Sequence, residues 1–167
     1  MHSLGVAALS LTVVATAAQP PELESLSFLI GEWRAAGTGE PGAGIGTATF
    51  ARELQGRVIV RTSFAEYSAA AGKPSTRHDD LMIMYALAGA LRADYYDSEG
   101  HVIRYGVQVP TAGEAVFVSD PSDNEPRFRL SYRLESSVLK GLFEIAPPGA
   151  ADAFKPYLTW QSTKAKK

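Results

Sequence analysis

The chain contains no cysteine. Disulfides, thiolate metal sites, iron–sulfur clusters and cysteine nucleophiles are excluded together. Histidine is almost as scarce: there are three among 167 residues, so any imidazole chemistry falls to His2, His78 or His101. A surplus of one charge is also missing. The formal net charge is -2, which gives no long-range pull toward nucleic acid or an anionic membrane. The one basic run, Lys164-Ala165-Lys166-Lys167, reads as a solvated tail. The longest apolar run, Leu4 to Ala18, is too short for a transmembrane helix. Catalytic signatures are missing too. There is no Gly-x-Ser-x-Gly elbow and no defensible Ser/His/Asp order, and the glycines between Gly37 and Gly46 lead into no helix that could cradle a phosphate.

What is present suits one globular domain: 46% hydrophobic and 20% charged residues, on a chain long enough to bury a sizeable core. Leu4 to Ala18 is uncharged and rich in small residues, and Ala15-Thr16-Ala17 fits a small-x-small cleavage site. A signal peptide is therefore expected over residues 1–18, with the domain over 19–167 and the product secreted or periplasmic. Leu23, Leu26, Phe28, Leu29 and Ile30 are too dense for one exposed face, so Glu22 to Ile30 is expected to be a short helix covering something apolar.

From Gly31 onward the period is two. Strands are expected at about 31–38, 46–54, 57–67, 78–86, 91–97, 101–109, 115–119, 127–134, 138–146 and 157–163. Gln55-Gly56, Ser98-Glu99-Gly100, Asp120-Pro121 and Pro147-Pro148-Gly149 punctuate them. Short links in meander order favour an all-β, up-and-down antiparallel barrel over a sandwich, and closure removes edges that would otherwise need protection.

The blocks Phe28-Leu29-Ile30-Gly31-Glu32-Trp33, Leu54-Gln55-Gly56-Arg57 and Asp97-Ser98-Glu99-Gly100-His101 resemble those of uncharacterised exported bacterial proteins of the lipocalin-like, or calycin, type. The ten-strand haem-binding nitrobindins share the general layout. That resemblance implies a barrel with a ligand-binding lumen. Nitrobindins carry a proximal histidine near their C-terminal strands. Residues 139–145 and 157–161 here have none, so no haem and no other cofactor is expected.

Candidate site residues gather on strands four to six. His78, Asp97 and His101 are placed at one end of the barrel. No recognised ligand spacing joins them, so they read as a polar rim and no metal is expected. Asp79 and Asp80 are adjacent and must point to opposite faces. Arg92, Asp94 and Tyr96 share one face of strand five. A three-residue turn at 98–100 sets Asp94 opposite Arg104, whereas a two-residue turn pairs Tyr95 with Arg104. Facing inward, this patch would hold a carboxylate or other polar head. Facing outward, it would be a surface ion-pair ladder, and Met82, Met84, Ile103, Tyr105 and Val107 make the more convincing core. Arg129 and Arg133 alternate with apolar residues and are expected to face solvent, as is Glu144.

The expected function is binding of a small, partly apolar ligand, with no catalysis required. Met82, Met84, Tyr95 and Tyr105 would form the wall, Arg92 or Arg104 the polar anchor, and Asp94, Tyr96 and His101 would complete the lining. The alternatives are a hydrolase or isomerase built on a His/carboxylate pair, and a structural or envelope-interaction protein with a filled lumen. Oligomeric state is left open.

Overall fold

The structure is a computed structural model. It describes residues 20–39, 44–69, 74–122, 124–150 and 152–165. The expected signal peptide, most of the turn after the first strand, and Lys166 and Lys167 lie outside the described residues.

Ten antiparallel strands close into one barrel: β1 Gly31–Gly39, β2 Gly44–Glu53, β3 Val58–Tyr67, β4 Thr76–Leu87, β5 Ala90–Asp97, β6 Val102–Gln108, β7 Glu114–Ser119, β8 Arg127–Glu135, β9 Val138–Ala146 and β10 Lys155–Lys164. Each strand pairs with its neighbours in sequence, and β1 pairs with β10 to close the ring. Closure gives every described strand a neighbour on both sides. Among the described residues, no helix is long and apolar enough to cross a membrane.

The N-terminal segment is two short pieces rather than one helix: α1 Pro21–Glu24 and a 3-10 turn at Ser27–Leu29. Its spacing explains this. Leu23, Leu26 and Leu29 recur every third residue and line up along a tight three-residue winding. All three are fully buried. The Trp33 indole N–H donates to Leu29 O at 2.7 Å, and Arg52 at the end of β2 reaches Glu24 and Ser27. The segment therefore plugs the end of the barrel where β1 starts and β2 ends.

The inward set follows the period of two. It includes Phe50, Ile59, Met82, Met84, Ala93, Tyr105, Phe117, Leu130, Tyr132 and Leu139, all buried. Phe117 stands edge-on to both Tyr105 and Tyr132, with ring centroids 6.2 and 6.1 Å apart. These edge-to-face contacts tie β6, β7 and β8 together across the lumen.

Two local departures matter for the open end. The register of β10 on β9 shifts between Pro156 and Leu158, as a bulge beside a proline that cannot donate to the ladder. Glu144 faces outward as expected but is only 6% exposed. It is held by Arg129, whose guanidinium lies 4.4 Å from the Phe154 ring centroid. The segment after β9 thus brings an aromatic ring over this outer face, which strand period alone does not reveal.

Candidate functional site

The plug fills one end of the barrel, and the other end holds a cavity of about 560 Å³. It is lined on two sides by different chemistry. Strands β8 to β10 contribute Phe128, Leu130, Phe143, Ile145, Leu158 and Trp160, while β3 to β5 contribute Arg61, Ser63, His78, Asp80, Tyr95 and Asp97.

The apolar wall depends on a missing side chain. Trp160 lies opposite Gly141 on β9, and a Cβ at Gly141 would sit 2.0 Å from the indole Cε2. The ring therefore lies flat across the glycine backbone. It also stands edge-on to Tyr132 at 6.0 Å. Phe128 and Phe143 stack at 5.8 Å next to it.

The polar wall starts deep, at Arg61. Ile59, Arg61, Ser63 and Ala65 form the inward face of β3, with Arg61 only 5% exposed. Its guanidinium donates to the Asp80 carboxylate and to the Tyr132 hydroxyl. Ser63 donates to the other Asp80 oxygen at 2.6 Å. Burial works to lower the Arg61 pKa, but the electrostatic pull of the Tyr132 hydroxyl and the Asp80 carboxylate outweighs it and raises the pKa. Arg61 is thus a permanent cation inside the barrel. Its Nε is buried and has no hydrogen-bond partner among the described residues. Burial raises the Tyr95, Tyr105 and Tyr132 phenols, so all three stay protonated.

Nearer the mouth the polar groups form a chain. Tyr95 Oη lies 3.0 Å from His78 Nε2 and donates to Asp97 Oδ2 at 3.2 Å. His78 Nδ1 lies 3.1 Å from Glu99 Oε1, and His101 Nδ1 lies 2.9 Å from Asp97 Oδ2. The turn between β5 and β6 is built around Asp97, whose Oδ1 accepts the Glu99 and His101 backbone N–H groups. Burial works to raise the Asp97 pKa, but these hydrogen bonds prevail and hold it below the usual carboxylate range.

The expected site residues separate into three groups. Tyr95, His101 and Tyr105 line the cavity. Met82 and Met84 share their inward face but are fully buried in the core, nearer the plug than Asp80. Arg92, Asp94, Tyr96 and Arg104 lie on the outer face. The β5–β6 register sets Asp94 opposite Arg104, as a three-residue turn requires. The alternation that turns Ala93 and Tyr95 inward turns these four out. Arg92 pairs with Asp120, and Asp94 accepts from Tyr85. The patch is the surface ladder, so neither Arg92 nor Arg104 reaches a lumen ligand.

Arg61, Ser63, Asp80 and Trp160 were missed as site residues. The signal for Asp80 was present, because Asp79 and Asp80 must diverge. Asp79 does pair outside with Arg77, while Asp80 enters the lumen. Nothing local marks Arg61, since its Tyr132 partner is 71 residues away.

No protein-family model matches the chain, and no curated protein matches it in sequence. Among solved structures, the chain is similar to one titled as the crystal structure of Rv2717c from M. tuberculosis. The TM-score is 0.60 at 15% identity, over 89% of this chain and 100% of the other. At that identity the likeness concerns the fold.

Proposed function

We propose that this barrel is a lipocalin-like carrier that binds one small amphipathic molecule in its lumen. The observation that carries this reading is the divided lining of the 560 Å³ cavity. That volume suits a small organic ligand. The apolar body would lie on Phe128, Phe143 and Trp160, and the polar end would meet Tyr95 and His78. On the polar wall the carboxylates of Asp80, Asp97 and Glu99 outnumber the guanidiniums of Arg61 and Arg77, and Arg77 is held by Asp79 and Glu66. That surplus favours a neutral, hydrogen-bonding head over a carboxylate, which would need the arginines now found outside.

The test is binding of an environment-sensitive apolar dye to metal-stripped protein, with native mass spectrometry of protein purified from its own host. Dye should bind one per chain and be displaced by the co-purifying molecule. Ala48→Phe, which narrows the cavity from β2, should weaken dye binding at least tenfold while circular dichroism stays barrel-like. Dye binding unchanged by Ala48→Phe, or a lumen that takes no probe, would sink this reading. We also propose that residues 1–18 are an export signal. The intact mass of the native protein tests this, and a retained Leu4–Ala18 segment refutes it.

A further inference from the structure

We propose that His78, Asp97 and Glu99 bind a first-row divalent transition-metal ion, with Zn²⁺ the representative case, at the open end of the barrel. This does not depend on the lumen ligand. One donor atom from each of the three residues lies within 4.8 Å of the others. A tetrahedral ion with bonds of about 2.0–2.2 Å holds its donors about 3.4 Å apart. His78 Nδ1 and Glu99 Oε1 are already 3.1 Å apart. The Glu99 side chain is 58% exposed and free to adjust toward an ion shared with the other two.

Three features prepare the site. The first is a tautomer. Tyr95 donates its own proton to Asp97, so it accepts from His78 Nε2–H. In that tautomer the Nδ1 lone pair faces Glu99 Oε1 at 3.1 Å, a gap that an ion can bridge. The second is outer support of the kind metal ligands need. Tyr95 orients both His78 and Asp97, and His101 Nδ1 holds Asp97 Oδ2 from the solvent side. The third is a fixed backbone. Ser98 N–H donates to Asp79 O at 2.9 Å, and Asp79 N–H donates to Ser98 Oγ at 3.2 Å. These bonds clamp the turn bearing Glu99 against the strand bearing His78.

The donor set chooses the class of ion. One imidazole and two carboxylates suit zinc and its neighbours better than calcium or magnesium, which prefer oxygen alone. The excess of carboxylates at the rim favours a cation of either kind. Three protein ligands leave a coordination position open beside the cavity.

The test uses the full chain without a histidine tag, carrying His2→Ala and stripped with chelator. Cobalt(II) is titrated in and followed by its visible spectrum, and zinc(II) by calorimetry. The expected result is one ion per chain with the intense bands of four- or five-coordinate cobalt. His78→Ala and Glu99→Gln should each weaken binding at least tenfold. Tyr95→Phe, which keeps all three ligands, should weaken it about tenfold. Glu99→Gln changes one exposed side chain and keeps the fold intact, so its result stands even if His78→Ala destabilises the barrel. Absence of saturable binding, a six-coordinate aqua-like spectrum, or binding that survives Glu99→Gln overturns the proposal. Dye binding to the metal-stripped chain is read separately, so failure of either proposal leaves the other standing.

Discussion

Arg61 is the residue on which the lumen's character turns. A buried ion pair is costly to desolvate, and removing one partner strands the other charge. Asp80→Asn should therefore destabilise the barrel by about 3–5 kcal/mol, read from urea midpoints at unchanged slope. Asp80→Leu combined with Arg61→Met removes both charges and should recover most of that loss. A double variant no more stable than the single one would show that the pair is not acting as a charge pair. The same reasoning explains why the sequence was mute here. On β3 the set Val58, Val60, Thr62, Phe64 is three-quarters apolar and the set Ile59, Arg61, Ser63, Ala65 only half, so alternation alone points to the wrong face. The choice is made by Asp80 and Tyr132, from β4 and β8, whose proximity only the closed barrel supplies.

At the scale of elements, the strands were legible because a period of two survives in one sequence, and turn residues mark where it stops. Boundaries moved by no more than about two residues, the ordinary uncertainty of a strand end. The face of β5 and β6 was not legible, because Arg92, Asp94, Tyr96 and Arg104 could form either a surface ladder or a lumen patch. The turn at 98–100 and the inward packing of Ala93 and Tyr105 decide it. The β9–β10 pair carries a prediction about the cavity wall. Gly141→Ala places a methyl group where the Trp160 ring now lies. The indole must swing off the wall, so tryptophan emission should shift to the red and dye affinity should fall. Unchanged emission would mean that the ring does not rest on this glycine. The β7–β8 pair carries a pH prediction. Glu114 lies opposite Arg133, and hydrogen bonds from Arg133 and Thr111 lower its pKa. A depressed folded pKa stabilises above the unfolded glutamate value, about 4.3, and that stabilisation is lost as pH falls through the folded value. Glu114→Gln should thus lower the urea midpoint slightly at pH 7 and by less at a pH well below the unfolded value. An equal difference at both pH values would remove the charge from the explanation.

The whole molecule is a meander whose last step is unlike the others. Nine of its ten pairings join neighbours in sequence, while β1–β10 joins Trp33 to Lys164 and Gly39 to Leu158. Loop closure must be met before that seam returns any pairing. The hairpins should therefore form first and the seam close after the folding transition state. Leu158 sits on the seam and on the cavity wall; Ile59 sits within the β2–β3–β4 meander and is fully buried. Leu158→Ala should speed unfolding and leave the folding rate nearly unchanged, whereas Ile59→Val should slow folding. Stopped-flow chevrons distinguish the two, and a Leu158→Ala variant that folds slowly would place the seam in the nucleus instead. The same order connects stability to binding. A ligand seated as proposed would touch Leu158 and Trp160 on β10, so it would bind only after the seam has closed and stabilise only the closed state. Saturating ligand should slow unfolding and leave folding untouched, and Leu158→Ala should lose that protection together with its affinity.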